Sequence, residues 1–394
     1  MKSDFFKKNR QRIYDELGDG LLVLSAYDYM QQTVDGSYPY IQESSFWWAS
    51  GLELPGWRLL IDGPKRESWL VAPILSRAEK VFDSYYSRDE ATSISGVFRF
   101  LDEESLFERL KGRRVLTLKP HPSNSSIFTI NSAPGRLWGQ SKDYATTVED
   151  ARPLLAKLRA IKQPEEIESI KKAISITIDG FEMVSSKLST YQNEIEIAAD
   201  FTHHFMMNQA THAYEPIVAS GKNACTLHYS RNNSPLEDGL VLLDIGAKYN
   251  GYSADITRTY SIGDLSLRQR SVHEAVNHVL HEVVGYISSG VSIADYIRFS
   301  NDCMARALVE LGLIGSKNDK AAFRRYFPHA ISHGLGVDVH DSLGGADEFL
   351  DSMVLTVEPG IYIPEEGFGV RIEDDILVTK TGCLNLTRDL ASVL

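Results

Sequence analysis

The stretch Gly239–Tyr260, GLVLLDIGAKYNGYSADITRTY, constrains the fold more than any other. Its Asn250–Gly251 pair is the strongest short-range signal for a two-residue hairpin turn, because both central positions of a type I′ turn need positive φ. That turn sets Tyr249 opposite Tyr252 and Asp244 opposite Thr257. Side chains alternate along a strand, so Asp255 shares the face of Thr257 and lies one diagonal step from Asp244. Two carboxylates on one sheet face repel unless a cation lies between them. A solvated hairpin face is the alternative, but Asp244 follows the apolar run Leu240–Leu243 and is expected to be buried, where an unpaired carboxylate is costly.

Three further segments add donors. FPHAISHGLGVDVHD carries His329, His333 and His340. His329 and His333 have the spacing of a helical zinc pair, but Gly334 and Gly336 argue against a continuing helix. Three histidines among glycines that permit close backbone approach point to a site. In MVLTVEPGIYI, Glu358 ends a strand just before the Pro359–Gly360 turn. In GVRIEDDILV, Val370 and Ile372 face one way, Arg371 and Glu373 the other, with Glu373 at a strand centre. Asp244, Asp255, His333, Glu358 and Glu373 then form a mostly hard donor set. It suits divalent manganese or cobalt, and zinc less exclusively.

Residues 1–153 read as an α/β domain. An amphipathic helix, Phe5–Leu17, leads into strands at Leu21–Ser25, Trp57–Ile61, Ser68–Ala72 and Arg114–Leu118. The aromatic-dense segment YPYIQESSFWWASGLELPG supplies core, a dimer contact or a pocket wall. Residues 154–394 form the second domain. Pro164 opens a helix with Glu165 and Glu166 in its first turn. A second helix starts after Asn193, whose spacing to Glu196 resembles a capping box. Two more cover Leu267–Ile287 and Ile293–Leu313. Helices with antiparallel hairpins in one domain indicate an α+β fold.

The formal charge of −12 leaves no basic excess to neutralise phosphates, which excludes nucleic acid as the expected partner. No stretch approaches the roughly 20 apolar residues of a membrane span. Cys225, Cys303 and Cys383 show no CxxC spacing and read as reduced thiols of a cytoplasmic protein.

With these segments in hand, the C-terminal domain resembles the pita-bread metallopeptidases, and within them the proline-specific branch of aminopeptidase P and prolidase. LLDIGAKYNGYSADITRTY, HAISHGLGVDVHD, LTVEPGIYI and GVRIEDDILV carry the likeness, as does the helix start RAIKQPEEIESIKKAI. The N-terminal aromatic segment resembles that branch more weakly, and implies a smaller creatinase-like N-terminal domain.

The resemblance implies a two-metal hydrolase of short proline-containing peptides, and a homodimer. Asp244 would chelate one ion, Asp255 and Glu373 would bridge both, and His333 and Glu358 would complete the other. Two cations make a water available as nucleophile near neutral pH, and Glu358 would take its proton. His340 and His228 would bind the scissile carbonyl and its oxyanion. His329 would line the proline pocket, Arg371 would brace the site or touch substrate, and Thr257 would hydrogen-bond a bridging carboxylate. Longer prolidases carry an insertion between the equivalents of Glu358 and Glu373, with an arginine that grips a dipeptide carboxylate. Here the connection IYIPEEGFG is short and holds no arginine, which favours aminopeptidase P, although Arg231 is a candidate substitute. A metal-free creatinase-like enzyme and an inactive binding module remain as alternatives, and intact donors argue against both.

Overall fold

The opening helix, Ser3–Leu17, buries Phe5, Phe6, Ile13 and Leu17 along one face. Asn9 and Arg10 on that face donate to the Trp48 and Ala49 carbonyls, and so tie it to the helix Ser44–Ser50. Phe46, Trp47 and Trp48 of the aromatic-dense segment are buried there, so these rings have a packing role. The computed structural model describes residues 1–120, 132–392 and 394. The chain divides into two units, Met1–Leu158 and Arg159–Leu394.

In the first unit, β1 (Leu21–Ser25), β2 (Arg58–Asp62), β3 (Glu67–Val71), β4 (Phe100–Leu101), β5 (Arg114–Thr117) and β6 (Thr147–Asp150) form one sheet in the order β4-β3-β2-β1-β5-β6. β1 runs antiparallel to β2 and parallel to β5. Leu21, Val23, Leu60, Trp69 and Val115 build a core on this sheet.

The second unit begins with the helix Pro164–Ser185, which has Pro164 in its first turn. Its buried Ile170, Ile174 and Phe181 recur at helical spacing. The next helix, Glu194–Met207, corrects one expectation: Asn193 makes no side-chain cap. Asn193 is held in a bridge to Pro235, and Glu196 accepts the Gln192 N–H instead. The last two long helices stop at Gly285 and Glu310, short of the expected ends. Gly312, at φ 68°, turns the chain out of the second of them. No helix among the described residues is long and apolar enough to cross a membrane.

The strands of this unit are β7 (Thr211–His212), β8 (Ile217–Ser220), β9 (Gly239–Ile245), β10 (Ala247–Tyr249), β11 (Tyr252–Ser253), β12 (Ile256–Ile262), β13 (Val354–Val357), β14 (Gly360–Ile363), β15 (Phe368–Arg371), β16 (Asp374–Thr379) and β17 (Gly382–Asn385). They pair as β11-β10-β7, β12-β9-β8, β13-β16-β17 and β14-β15. The central hairpin has the expected register, Tyr249 opposite Tyr252 and Asp244 opposite Thr257. Its turn residues Asn250 and Gly251 have φ of 49° and 81°. The ladder is interrupted at Gly246 and at Ala254–Asp255, where the chain bends. A Cβ on Gly246 would lie 2.0 Å from the Ala254 carbonyl oxygen.

Glu373 is not at a strand centre. It lies between β15 and β16, where the chain leaves its pairing with β14 for that with β13. Its N–H donates to the Thr257 carbonyl at 3.0 Å. Behind these strands, Val272, Val276 and Val283 pack with Tyr296, Met304 and Leu308 against Leu355, Ile361, Val370 and Ile376. That apolar core backs the face on which the polar side chains gather.

Candidate functional site

A cavity of about 690 Å³ opens in the second unit. Asp244, Asp255, His333, Glu358, Glu373, His228, His329, His340 and Arg371 all line it. Thr257, the remaining candidate, is fully buried behind them.

Asp244 arrives from β9 and Asp255 from the bend before β12. Both carboxylates reach the Tyr214 hydroxyl, at 2.5 and 2.6 Å. The Asp255 bend is pinned by its own N–H, which donates to the Asp375 carboxylate at 3.1 Å. Glu373 accepts the Thr257 hydroxyl at 2.7 Å. Arg371 spans three partners: Asp244 at 2.6 Å, the Tyr362 hydroxyl at 2.9 Å and the Thr257 hydroxyl oxygen at 3.2 Å. Arg371 and Glu373 thus meet at Thr257, on the common side expected of them.

The histidines sit in the loop after the short helix Lys320–Tyr326, and no helix joins His329 to His333. His333 Nδ1 faces the Gly334 carbonyl at 3.0 Å, so it carries the proton. Its Nε2 looks into the cavity, 3.4 Å from Asp255 and 3.7 Å from Glu358. His329 Nδ1 donates to the Ala330 carbonyl, and its Nε2 faces the Tyr362 hydroxyl at 2.9 Å. The His340 ring centroid lies 4.3 Å from that of His333.

Charge is crowded here. Burial raises the Glu373 carboxyl well above its usual range, and Asp255, Glu358 and Asp244 add to the rise. Burial also raises Asp244, which Arg371 partly offsets. Glu358 is pushed up to about 8 by burial, with His333 and Arg371 pulling it back. Burial disfavours the charged form of His333, but the hydrogen bond and charge of Asp255 outweigh it and lift that imidazole to about 9. His329 is lowered to about 4, first by burial and then by Arg371. Burial and the neighbouring His333 also lower His340.

A buried group of acids that retains protons to limit its own repulsion is a natural seat for cations. The donors fall into three sets whose ligand atoms lie within 4.8 Å of one another: Asp244 with Asp255 and Glu373, His333 with Glu358 and Glu373, and Asp255 with His333 and His340. Carboxylate oxygen and imidazole nitrogen suit divalent manganese, cobalt or zinc. These residues therefore fit divalent metal ions.

Tyr214 was not singled out by sequence reasoning, and neither was Asp375. Tyr214 stands alone between two short strands and carries no periodic signal. Asp375 follows Glu373 and Asp374 in an acidic run, and only the fold shows that it turns inward.

The sequence profile of metallopeptidase family M24 matches residues 168–380. That of the aminopeptidase P N-terminal domain matches residues 6–114. The chain is 33 % identical to an Xaa-Pro aminopeptidase of Escherichia coli, over 97 % of this chain and 94 % of that one. It is 30 % identical to human Xaa-Pro aminopeptidase 3, over 94 % and 78 %. Among solved structures, zinc-substituted E. coli aminopeptidase P in complex with product superposes with a TM-score of 0.87 at 29 % identity, covering 100 % of this chain and 96 % of that one. Proline aminopeptidase P II from Yersinia pestis gives 0.85 at 29 % identity, covering 100 % and 98 %. The α+β architecture, with a pita-bread C-terminal domain, is that of these relatives.

Proposed function

The chain belongs to metallopeptidase family M24, and from that premise we propose that it is an Xaa-Pro aminopeptidase whose site holds two divalent metal ions. The observation that carries the site assignment is the overlap of the three donor sets, in which Asp255, His333 and Glu373 each fall twice. Of these, Asp255 and Glu373 have two carboxylate oxygens each and would serve both ions, whereas His333, with Nδ1 turned to the Gly334 carbonyl, has one nitrogen to offer. Asp244 would help hold one ion, and His333 and Glu358 the other. Manganese is the favoured ion, with cobalt or zinc as substitutes.

When bound, such a pair of ions supplies Lewis acidity, making water nucleophilic near neutral pH and polarising the carbonyl. The protein groups do the rest. Glu358, partly buried and facing His333 and His329, takes the proton of the attacking water. His340 and His228, at the exposed side of the cavity, hold the scissile carbonyl and oppose the charge that develops on its oxygen. Neutral His329, fixed by Ala330 and Tyr362, lines the pocket for the proline ring. Arg371 holds Asp244 and Thr257 holds Glu373, so neither carboxylate swings away.

An Xaa-Pro bond has no amide hydrogen and resists general peptidases, so shape and metal polarisation must do what a hydrogen bond to N–H would otherwise do. Strict dipeptidase action is the second reading, and the missing arginine between Pro359 and Gly369 disfavours it. Free thiols at Cys225, Cys303 and Cys383 support a cytoplasmic setting, and the family resemblance supports a homodimer. Metal-stripped protein reloaded with manganese is expected to release alanine from Ala-Pro-Ala, and Asp255→Ala is expected to abolish this. Turnover of Ala-Pro alone would make the enzyme a prolidase. Failure to bind metal at all would remove the assignment.

A further inference from the structure

The segment Arg159–Glu166 has no role in the chemistry above, yet its cations are buried: the side chains of Arg159 and Lys162 are 7 % and 1 % exposed. Their partners lie in the loop that carries His340. Arg159 donates to Asp338 at 2.6 Å and lies 3.1 Å from Asp341. Lys162 lies 3.7 Å from the other Asp341 oxygen and donates to the Arg159 carbonyl at 2.6 Å. Asp341 also accepts the Ser342 N–H at 2.9 Å.

The loop closes on itself between Gly334 and Asp341, whose N–H donates to the Gly334 carbonyl at 2.8 Å. His333 and His340 each precede one end of that bridge. On its other side the loop is held to the central hairpin. Lys248 donates to the Val337 carbonyl and the Ser253 N–H to that of Gly336, both at 2.9 Å. The His340 ring itself makes no hydrogen bond among the described residues; it packs edge-on against the His333 ring, and beyond that its place is set by its backbone and by Asp341 beside it.

A buried ion cluster adds little net stability over well-packed apolar groups, because desolvation offsets the attraction. What it supplies is one defined loop conformation. We propose that Arg159, Lys162 and Asp341 form a clamp that positions His340 for the scissile carbonyl, a role that rests on the carbonyl-binding reading of His340 given above. Asp341 is then a positioning residue, acting through its neighbour.

The test is a double-mutant cycle on the full chain, pairing Asp341→Asn with His340→Ala and following Ala-Pro-Ala cleavage and Mn²⁺ binding by calorimetry. The clamp predicts that Asp341→Asn lowers kcat on the order of tenfold, as a small misplacement of a catalytic group does, with Mn²⁺ affinity unchanged. It also predicts a cost below about twofold once His340 is gone, since coupled residues are non-additive. Equal cost in both backgrounds would reduce the cluster to a fold stabiliser and overturn the inference. So would Mn²⁺ affinity that fell in step with kcat, because the effect would then run through His333. Full activity of His340→Ala alone would instead remove the carbonyl-binding reading, and the clamp with it. If Asp341→Asn does not fold, Arg159→Lys, which keeps the charge and loses the fork, goes through the same cycle.

Discussion

Tyr214 has one hydroxyl proton but two carboxylates within 2.6 Å of it, those of Asp244 and Asp255. Burial and both acids hold its phenol well above its usual range, so it is a donor at any working pH. It can donate to one acid at a time, and the other needs a proton or a cation. Tyr214 thereby aims two acids from different parts of one hairpin at a common point. Tyr214→Phe is expected to weaken divalent-ion binding by about tenfold or more, the usual effect of losing a partner that orients a ligand. Calorimetric titration with Mn²⁺ reads this directly. Unchanged affinity would mean that Arg371 and the backbone fix the carboxylates without help. Nothing around Tyr214 in the sequence announces the role, because a single tyrosine between two short strands looks like packing.

At the scale of the element, what was legible depended on local signals. Asn250–Gly251 demands one turn type, and that turn dictates which residues face each other, so Asp244 opposite Thr257 follows from the sequence. The interruption of the ladder did not follow. It depends on Gly246 admitting the Ala254 carbonyl, and a lone glycine in a strand pattern signals a bulge without saying where the partner strand will go. The break in the last strands was hidden for a similar reason. VRIEDDILV alternates like one strand, and only its two different partners, β14 and β13, show that Glu373 sits at a crossing. The Asn193 cap did not form; that residue's backbone pairs with Pro235 and Glu196 accepts from Gln192 instead, and local spacing signals neither contact. Gly246→Ala tests the bend: a methyl group against a backbone oxygen must part the strands, at a cost of about 3 kcal/mol or more. The urea midpoint should fall and Mn²⁺ binding should be lost with it. A variant with wild-type stability and full metal binding would show that the bend is set by Tyr214 and Asp375 instead.

For the whole molecule, every metal-capable cluster among the described residues lies in the second unit, while all five tryptophans, Trp47, Trp48, Trp57, Trp69 and Trp138, lie in the first. Metal should therefore stabilise a part of the chain that tryptophan fluorescence does not see. An ion that binds only the folded form stabilises it by about 2.7 kcal/mol at a hundred times its Kd. The acids give this effect a pH dependence. Glu358 is raised from 4.5 to about 8 and His333 from 6.5 to about 9 in the metal-free fold. A raised group binds its proton more tightly folded than unfolded, so its contribution is complete below the unfolded value and is lost as pH rises through the folded one. The metal-free second unit should accordingly lose stability between about pH 4.5 and 9. Added Mn²⁺ replaces those protons, so the rescue should be large at pH 8 and small at pH 5. Calorimetry with and without chelator, run beside tryptophan fluorescence, separates the outcomes. A calorimetric transition that moves with metal at pH 8 while the fluorescence midpoint stays fixed is expected. A rescue of equal size at both pH values would mean that the buried acids are not proton-loaded when the ions leave. A tryptophan midpoint that tracks the metal would mean that the two units unfold as one.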